Sequence, residues 1–146
     1  MSLDDDIALL RAVPFFDGFG AEELRLIAFG TDPRRLDDGE RLVRENAYAD
    51  GAYVIASGTI LLRTRHARGE QRMVRGDMIA PLALVTDIEH RHTALADGPA
   101  HVLKISRQLF RRVLEEHPHL AEALANRIKA GFSAMSVELE GMIEPD

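Results

Sequence analysis

The sequence contains no cysteine. Disulfides and thiolate metal sites are therefore excluded, while the compartment is otherwise left open. It has no apolar run of the roughly 18 residues that a membrane helix requires, so no membrane span is expected. Positive charge is in the minority. Eighteen Lys and Arg stand against 24 Asp and Glu, a formal net charge of −6, which argues against broad binding along a phosphate backbone. The run Met1-Ser2-Leu3-Asp4-Asp5-Asp6 is acidic and lacks the basic and apolar stretches of a secretory leader. A cytoplasmic protein is the expectation. Internal repeats and low-complexity segments are also missing.

Catalytic constellations are equally scarce. There is no cysteine nucleophile, and neither Ser57 nor Ser133 has a motif around it. The acidic pairs Asp37-Asp38 and Glu115-Glu116 sit at a turn and a helix end, where solvated charge explains them. The pair His90-Arg91-His92 has the His-x-His spacing that puts two rings on one strand face, as metal-binding cupins do. Asp97 and His101 are only loose stand-ins for the remaining ligands, and the glycine pattern differs. No catalytic residue, metal or cofactor is expected.

What remains is a chain of 146 residues, 46% of them hydrophobic. That is enough for one domain with its own core, taken as a single unit over 1–146. Residues 1–30 read as helices. Asp4 to Asp6 suit a helix N-terminus, where negative charge meets the dipole, and the helix runs to Arg11. Val13-Pro14-Phe15-Phe16 reads as an apolar turn. A second helix over Ala21–Phe29 has an apolar face at Leu24, Ile27 and Ala28.

Residues 31–105 change texture. Turn signals at Asp37-Asp38-Gly39 and Asp50-Gly51 bracket a strand over Glu40–Glu45. Two more strands, Ala52–Ala56 and Thr59–Thr64, are separated by Ser57-Gly58. Arg68-Gly69-Glu70 reads as a hairpin tip leading into Gln71–Val74. The arginines around it, Arg63, Arg65, Arg68, Arg72 and Arg75, read as the solvated face of that hairpin. Thr93–Ala96 and Ala100–Ile105 flank a turn at Asp97-Gly98-Pro99. Short strands with closely spaced turns indicate a sandwich or barrel. Residues 106–146 return to helix. Ser106 caps a helix over Arg107–Glu116, and Pro118 breaks it. A longer helix over about Leu120–Met142 follows. Its apolar positions Leu124, Ile128, Phe132, Met135, Leu139 and Met142 step by three and four, a stripe suited either to the chain's own barrel or to a second copy.

Two segments together resemble the cyclic-nucleotide-binding domain of the catabolite activator protein and its Crp/Fnr relatives. The first is the stretch from Gly39 to Gly58, with Asp50 before Tyr53-Val54-Ile55 and Ser57-Gly58. Asn46 stands where that family has glycine, and asparagine is the next-best residue for a left-handed backbone. The second is Gly76-Asp77-Met78-Ile79-Ala80-Pro81-Leu82-Ala83-Leu84, followed by His90-Arg91-His92-Thr93-Ala94, where the phosphate-binding cassette belongs. The resemblance implies a mainly β fold: an antiparallel, jelly-roll-like β-roll with N-terminal helices and a long C-terminal helix. It implies a regulatory module that binds a cyclic nucleotide such as cAMP or cGMP in the roll and couples it to the last helix.

The resemblance also implies a site. In that family a short helix turns its backbone N–H groups toward the cyclic phosphate. A glutamate there accepts a hydrogen bond from the ribose hydroxyl, and an arginine about ten residues later pairs with the phosphate. The matching positions here are Gly76, Ala80, Pro81, Leu82, Ala83, Thr93 and either His90 or Arg91, with Ser136 facing the base. Ala80 replaces the glycine. Pro81 replaces the glutamate and has neither carboxylate nor N–H, although it suits the first turn of a helix. The choice between His90 and Arg91 reverses which side chain faces inward, since a one-residue slip flips a strand. The other reading of the same residues is a degenerate fold that no longer binds nucleotide and serves as a homodimerisation or partner-docking module. Relatives carry a helix-turn-helix after the long helix. This chain reaches Asp146 without one, so no direct DNA binding is expected.

Overall fold

The structure is a computed structural model that describes residues 2–66 and 68–126. Spatial contacts divide the chain into two units, Met1–Val113 and Leu114–Asp146. In the second, residues 118–126 are helical, and the rings of His117 and His119 meet edge to face with centroids 6.0 Å apart. The expected helix to Met142, its apolar stripe beyond Leu124, and Ser136 lie outside the described residues.

The first unit opens with helix α1, Leu3–Arg11. Ser2 caps it reciprocally with Asp5, each side chain accepting from the other's backbone N–H, so two exposed donors of the first turn are satisfied. Helix α2, Ala21–Gly30, buries Leu24, Ile27 and Ala28, the face expected from their spacing. At its end the backbone runs close to α3, Arg107–Glu116, because a Cβ on Gly30 would lie 2.7 Å from Leu109. Phe15, Phe16 and Phe19 gather around the fully buried Phe110 of α3, with centroids 5.8 to 6.3 Å from its ring. Ser106 caps α3 by accepting from Leu109 N–H at 3.1 Å.

The roll is antiparallel. Its strands are β1 (Asp32–Leu36), β2 (Arg41–Val43), β3 (Tyr48–Ala49), β4 (Gly51–Arg63), β5 (Gln71–Met73), β6 (Met78–Ile79), β7 (Ile88–Glu89) and β8 (Thr93–Ser106). The main sheet runs β1-β8-β4-β5, with β2 on β8 and β6 on β4, while β3 and β7 pair separately. The sheet is therefore open and does not close into the expected barrel. Along β4 and β8, alternate side chains converge, the phase on β4 changing from odd to even positions across the irregularity at Ser57-Gly58. Tyr53, Ile55, Ile60, Leu62, Ala94, Ala96, Ala100 and Val102 form one buried cluster with Leu36, Val43, Met73 and Ile79, as the period of two requires.

Two expected breaks are not breaks. The pairs Ala52–Ala56 with Thr59–Thr64, and Thr93–Ala96 with Ala100–Ile105, are each one continuous strand. Gly58 takes φ +81 and Gly98 φ +83, and the ladder shifts register around Ser57. The glycines thus accommodate bulges rather than chain reversals. Strand β1 escaped the sequence reading because it is polar and contains Pro33. It lies on the sheet edge, paired to β8, where proline is tolerated. No helix among the described residues is long and apolar enough to cross a membrane.

Candidate functional site

The segment after β6 turns sharply. Ala80 sits at φ 58, ψ 49, a left-handed conformation. A Cβ there costs about 1 kcal/mol relative to glycine, so alanine at the glycine position keeps the turn at a small penalty. Pro81 then begins a 3-10 turn, Pro81–Leu84. Ala83 N–H donates to Ala80 O at 3.0 Å, and both Val85 and Thr86 N–H donate to Leu82 O at 3.1 Å. Ala83 and Leu84 are buried and Leu82 is half-buried. Upstream, Gly76 has φ +90 and ties the turn to β4 by donating to Ile55 O at 3.0 Å.

The returning segment separates His90, Arg91 and His92. His90 is 7% exposed. Its backbone is held on both sides, donating to Ala47 O and accepting from Asn46 N–H, each at 2.8 Å. Asn46 itself is left-handed at φ 71, which explains why asparagine serves in place of glycine. The His90 ring faces Tyr53 with centroids 6.5 Å apart. Burial pushes its pKa below the ordinary 6.5. Asp50 opposes that shift and Lys104 adds to it. The ring is therefore neutral at pH 7 and supplies no positive charge. Arg91 is exposed. Thr93 is half-buried, and its hydroxyl accepts from Glu45 N–H at 3.0 Å. The Glu45 carboxylate in turn accepts from Arg65 N–H at 3.0 Å, stitching β2 to the β4–β5 hairpin.

His92 was not among the site residues read from the sequence. It lies on the wall of a hollow of about 410 Å³ with Leu62, Thr64, Arg68, Gly69, Glu70 and Gln71. Leu62 pairs with Gln71 on one side and Ala94 on the other, so the apolar core forms part of its lining. Thr64, Gln71 and His92 are the neutral polar residues of the same lining. Arg68 is a cation on the wall, and Glu70 is paired to Arg63 at 2.9 Å. In the sequence His92 is marked only by the His-x-His spacing and by its place directly before Thr93-Ala94, where β8 begins. Among the described residues, those named from the resemblance (Gly76, Ala80 to Ala83, His90, Arg91 and Thr93) are not on its wall. Among the described residues no group of three or more His, Cys, Asp or Glu is arranged to hold a metal.

A second polar cluster lies beside the cassette turn. Arg107, the first residue of α3, is 8% exposed. Its guanidinium donates to Ala83 O (2.6 Å), Tyr48 Oη (2.7 Å), Asp87 Oδ1 (2.6 Å) and Ala49 O (2.6 Å). The Tyr48 hydroxyl donates in turn to Asp87 Oδ1 at 3.0 Å.

Comparison with known proteins agrees with this architecture. The family profile of the cyclic nucleotide-binding domain matches residues 33–117. A solved cyclic nucleotide-binding-like protein from Brucella abortus is 39% identical, covering 77% of this chain and 99% of that one, with a TM-score of 0.69. The regulatory domain of Toxoplasma gondii PKA, solved with cAMP, is 23% identical over 86% of this chain and 50% of that one, with a TM-score of 0.67. This last likeness is one of fold. The cyclic AMP receptor protein of Thermus thermophilus is 22% identical over 135 residues, which is 90% of this chain and 62% of that protein. The chain thus spans less than two thirds of that curated relative's length. A profile match over more than half the chain, the open antiparallel roll and the turn at Ala80–Leu84 give one conclusion: the chain belongs to the cyclic nucleotide-binding domain family.

Proposed function

We propose that the chain is a non-enzymatic regulatory module that takes a cyclic mononucleotide in the open hollow beside its β4–β5 hairpin. The observation that carries this reading is the hollow itself. A lining of Leu62 with Thr64, Gln71 and His92 around it combines an apolar patch with a few convergent polar groups, the ordinary make-up of a small-molecule site. The apolar patch takes a base or ribose face, and Arg68 carries the charge that a phosphate needs. The cassette turn at Ala80 to Ala83, with His90, Arg91 and Thr93, lies off the wall of this hollow, and its part in binding rests on the family resemblance alone. Binding regulates only if the ligand favours one arrangement of the protein over another.

Pro81 favours a second reading, that the fold is kept and nucleotide binding is lost. It offers no carboxylate to a ribose and no N–H to a phosphate, His90 is neutral, and Arg91 is exposed. The role is then homodimerisation or docking on a partner protein.

Calorimetric titration of the full chain with cAMP and with cGMP separates the two. The first reading expects saturable heat with one of them, and a thermal shift equivalent to about 2.7 kcal/mol at a hundredfold excess over Kd. Arg68→Ala then weakens binding about tenfold or more, the loss of a charge-assisted bond. Neither heat nor a thermal shift with either nucleotide overturns it in favour of the second.

A further inference from the structure

The sheet face turned away from the Tyr53 and Ile60 cluster changes character along β4 and β8. Near Gly51 it carries Ala52, Val54, Leu103 and Ile105, all fully buried. Beyond the irregularity at Ser57 it carries Leu61 and Leu95, which pair across the two strands and are only half-buried. Pairing continues outward on both sides. Leu95 opposes Arg41 of β2, and Leu61 opposes Arg72 of β5. Residues directly opposite each other share a face, so Arg41, Leu95, Leu61 and Arg72 form one row across four strands. Leu62 and Gln71, one step along, belong to the other face and line the hollow. The Arg41 side chain is exposed and has no ion-pair or hydrogen-bond partner among the described residues. Arg72 meets Asp97 at 3.5 Å with both side chains exposed, a contact that solvent screening makes weak and exchangeable.

Neighbouring strands lie about 4.8 Å apart, so the two ends of the row are separated by roughly 14 Å. In an extended segment laid across the strands, side chains of one face recur about every 6.6 Å. Its residues i, i+2 and i+4 therefore span the row, with an apolar one over Leu61 and Leu95 and an acidic one at each end. An apolar centre with a charged rim is the usual anatomy of a protein docking surface. The net charge of −6 disfavours a second copy or a nucleic acid as the occupant, while a short segment is selected by the local charge alone.

We propose that this row docks an extended segment of a partner protein, of the pattern acidic-x-apolar-x-acidic, with its two carboxylates on Arg41 and Arg72. The proposal goes beyond the nucleotide-binding reading and does not require it, because the row and the hollow lie on opposite faces of the β4–β5 hairpin.

Methyl chemical-shift titration of the full chain with a blocked peptide, Thr-Glu-Thr-Leu-Thr-Glu-Thr, and no nucleotide tests it. Saturating shifts are expected at the Leu61 and Leu95 methyls at millimolar peptide, where even a Kd of about 1 mM is populated, while the Leu62 methyls stay in place. Arg41→Gln is expected to weaken binding about two- to fivefold, the worth of an exposed ion pair. Asp97→Asn releases Arg72 and is expected to tighten binding by a similar factor, which a general loosening of the strands would not do. The same peptide with glutamine in place of both glutamates is expected not to saturate. Failure of the acidic peptide to saturate, or equal saturation by the glutamine peptide, overturns the proposal. Equal shifts along the row from a thymidine decanucleotide or from phosphatidylserine vesicles overturn it as well. A failure to bind cAMP would leave every one of these outcomes untouched, so the two readings fail separately.

Discussion

His90 and Tyr53 face each other inside the roll, with ring centroids 6.5 Å apart and planes tilted by 41°. The ring is neutral there because burial disfavours its charged form. In the unfolded chain the same ring takes up a proton as pH falls through 6.5. The unfolded state then binds more protons than the folded one, and stability falls with falling pH.

Thermal unfolding between pH 7 and about 5 reads this out. The wild type is expected to lose stability on acidification, and His90→Gln to show a shallower slope whatever its absolute stability. Asp50 acts in a separate window. Its hydrogen bond with Lys104 lowers its pKa below 3.8, so its stabilising contribution is lost only below that value. Equal slopes in the two proteins between pH 7 and 5 would show that His90 is not the titrating group.

Gly51 and Gly39 separate close approach from backbone conformation. A Cβ at Gly51 would lie 2.3 Å from Ile105 O, a backbone atom that cannot step aside, whereas at Gly39, with φ +80, it would meet nothing within 4 Å. Gly51→Ala is expected to cost about 3 kcal/mol as an overpacking change. Gly39→Ala should cost about 1 kcal/mol, the left-handed penalty alone. Urea denaturation measures both, and equal costs would contradict the account of β4 against β8.

Phe110 is the centre of the helical cluster, fully buried beneath Phe15, Phe16 and Phe19. Phe110→Ala is expected to destabilise the chain by about 3–5 kcal/mol. A loss under about 1 kcal/mol by the same denaturation would mean that α3 does not hold the helices to the roll.

Pro81→Glu tests what the proline removes. Glutamate suits the first position of the turn, where the exposed N–H groups favour negative charge. Family resemblance gives it the ribose hydroxyl as partner. Affinity for cAMP is expected to rise about tenfold or more, the gain of one charge-assisted bond. Unchanged affinity by calorimetry would mean that the turn does not border the ligand.

Much of the architecture was legible because its signals are local. The apolar spacing of Leu24, Ile27 and Ala28 marks the buried face of α2, and Ser106 marks the start of α3. The apolar runs Ala52–Ala56, Thr59–Thr64 and Ala100–Ile105 mark the long strands. What was not legible depends on partners far away in sequence. Ser57-Gly58 and Asp97-Gly98-Pro99 have the composition of turns, yet a positive-φ glycine serves a bulge equally well, and only pairing of the two strands decides between them. His92 was passed over because a loop of unknown length precedes β8, and a one-residue change there exchanges inward for outward. The bonds of Arg107 to Ala83, Tyr48 and Ala49 leave no mark in any local window.

The central claim, that the hollow beside Leu62, Gln71 and His92 is the ligand site, is tested most directly by amide chemical-shift mapping of the full chain during titration with cAMP. The account predicts saturating shifts at Leu62, Thr64, Gln71 and His92, with smaller ones at Ala83. Shifts confined to other surfaces, or none at millimolar nucleotide, where even a Kd of about 1 mM is populated, would contradict it.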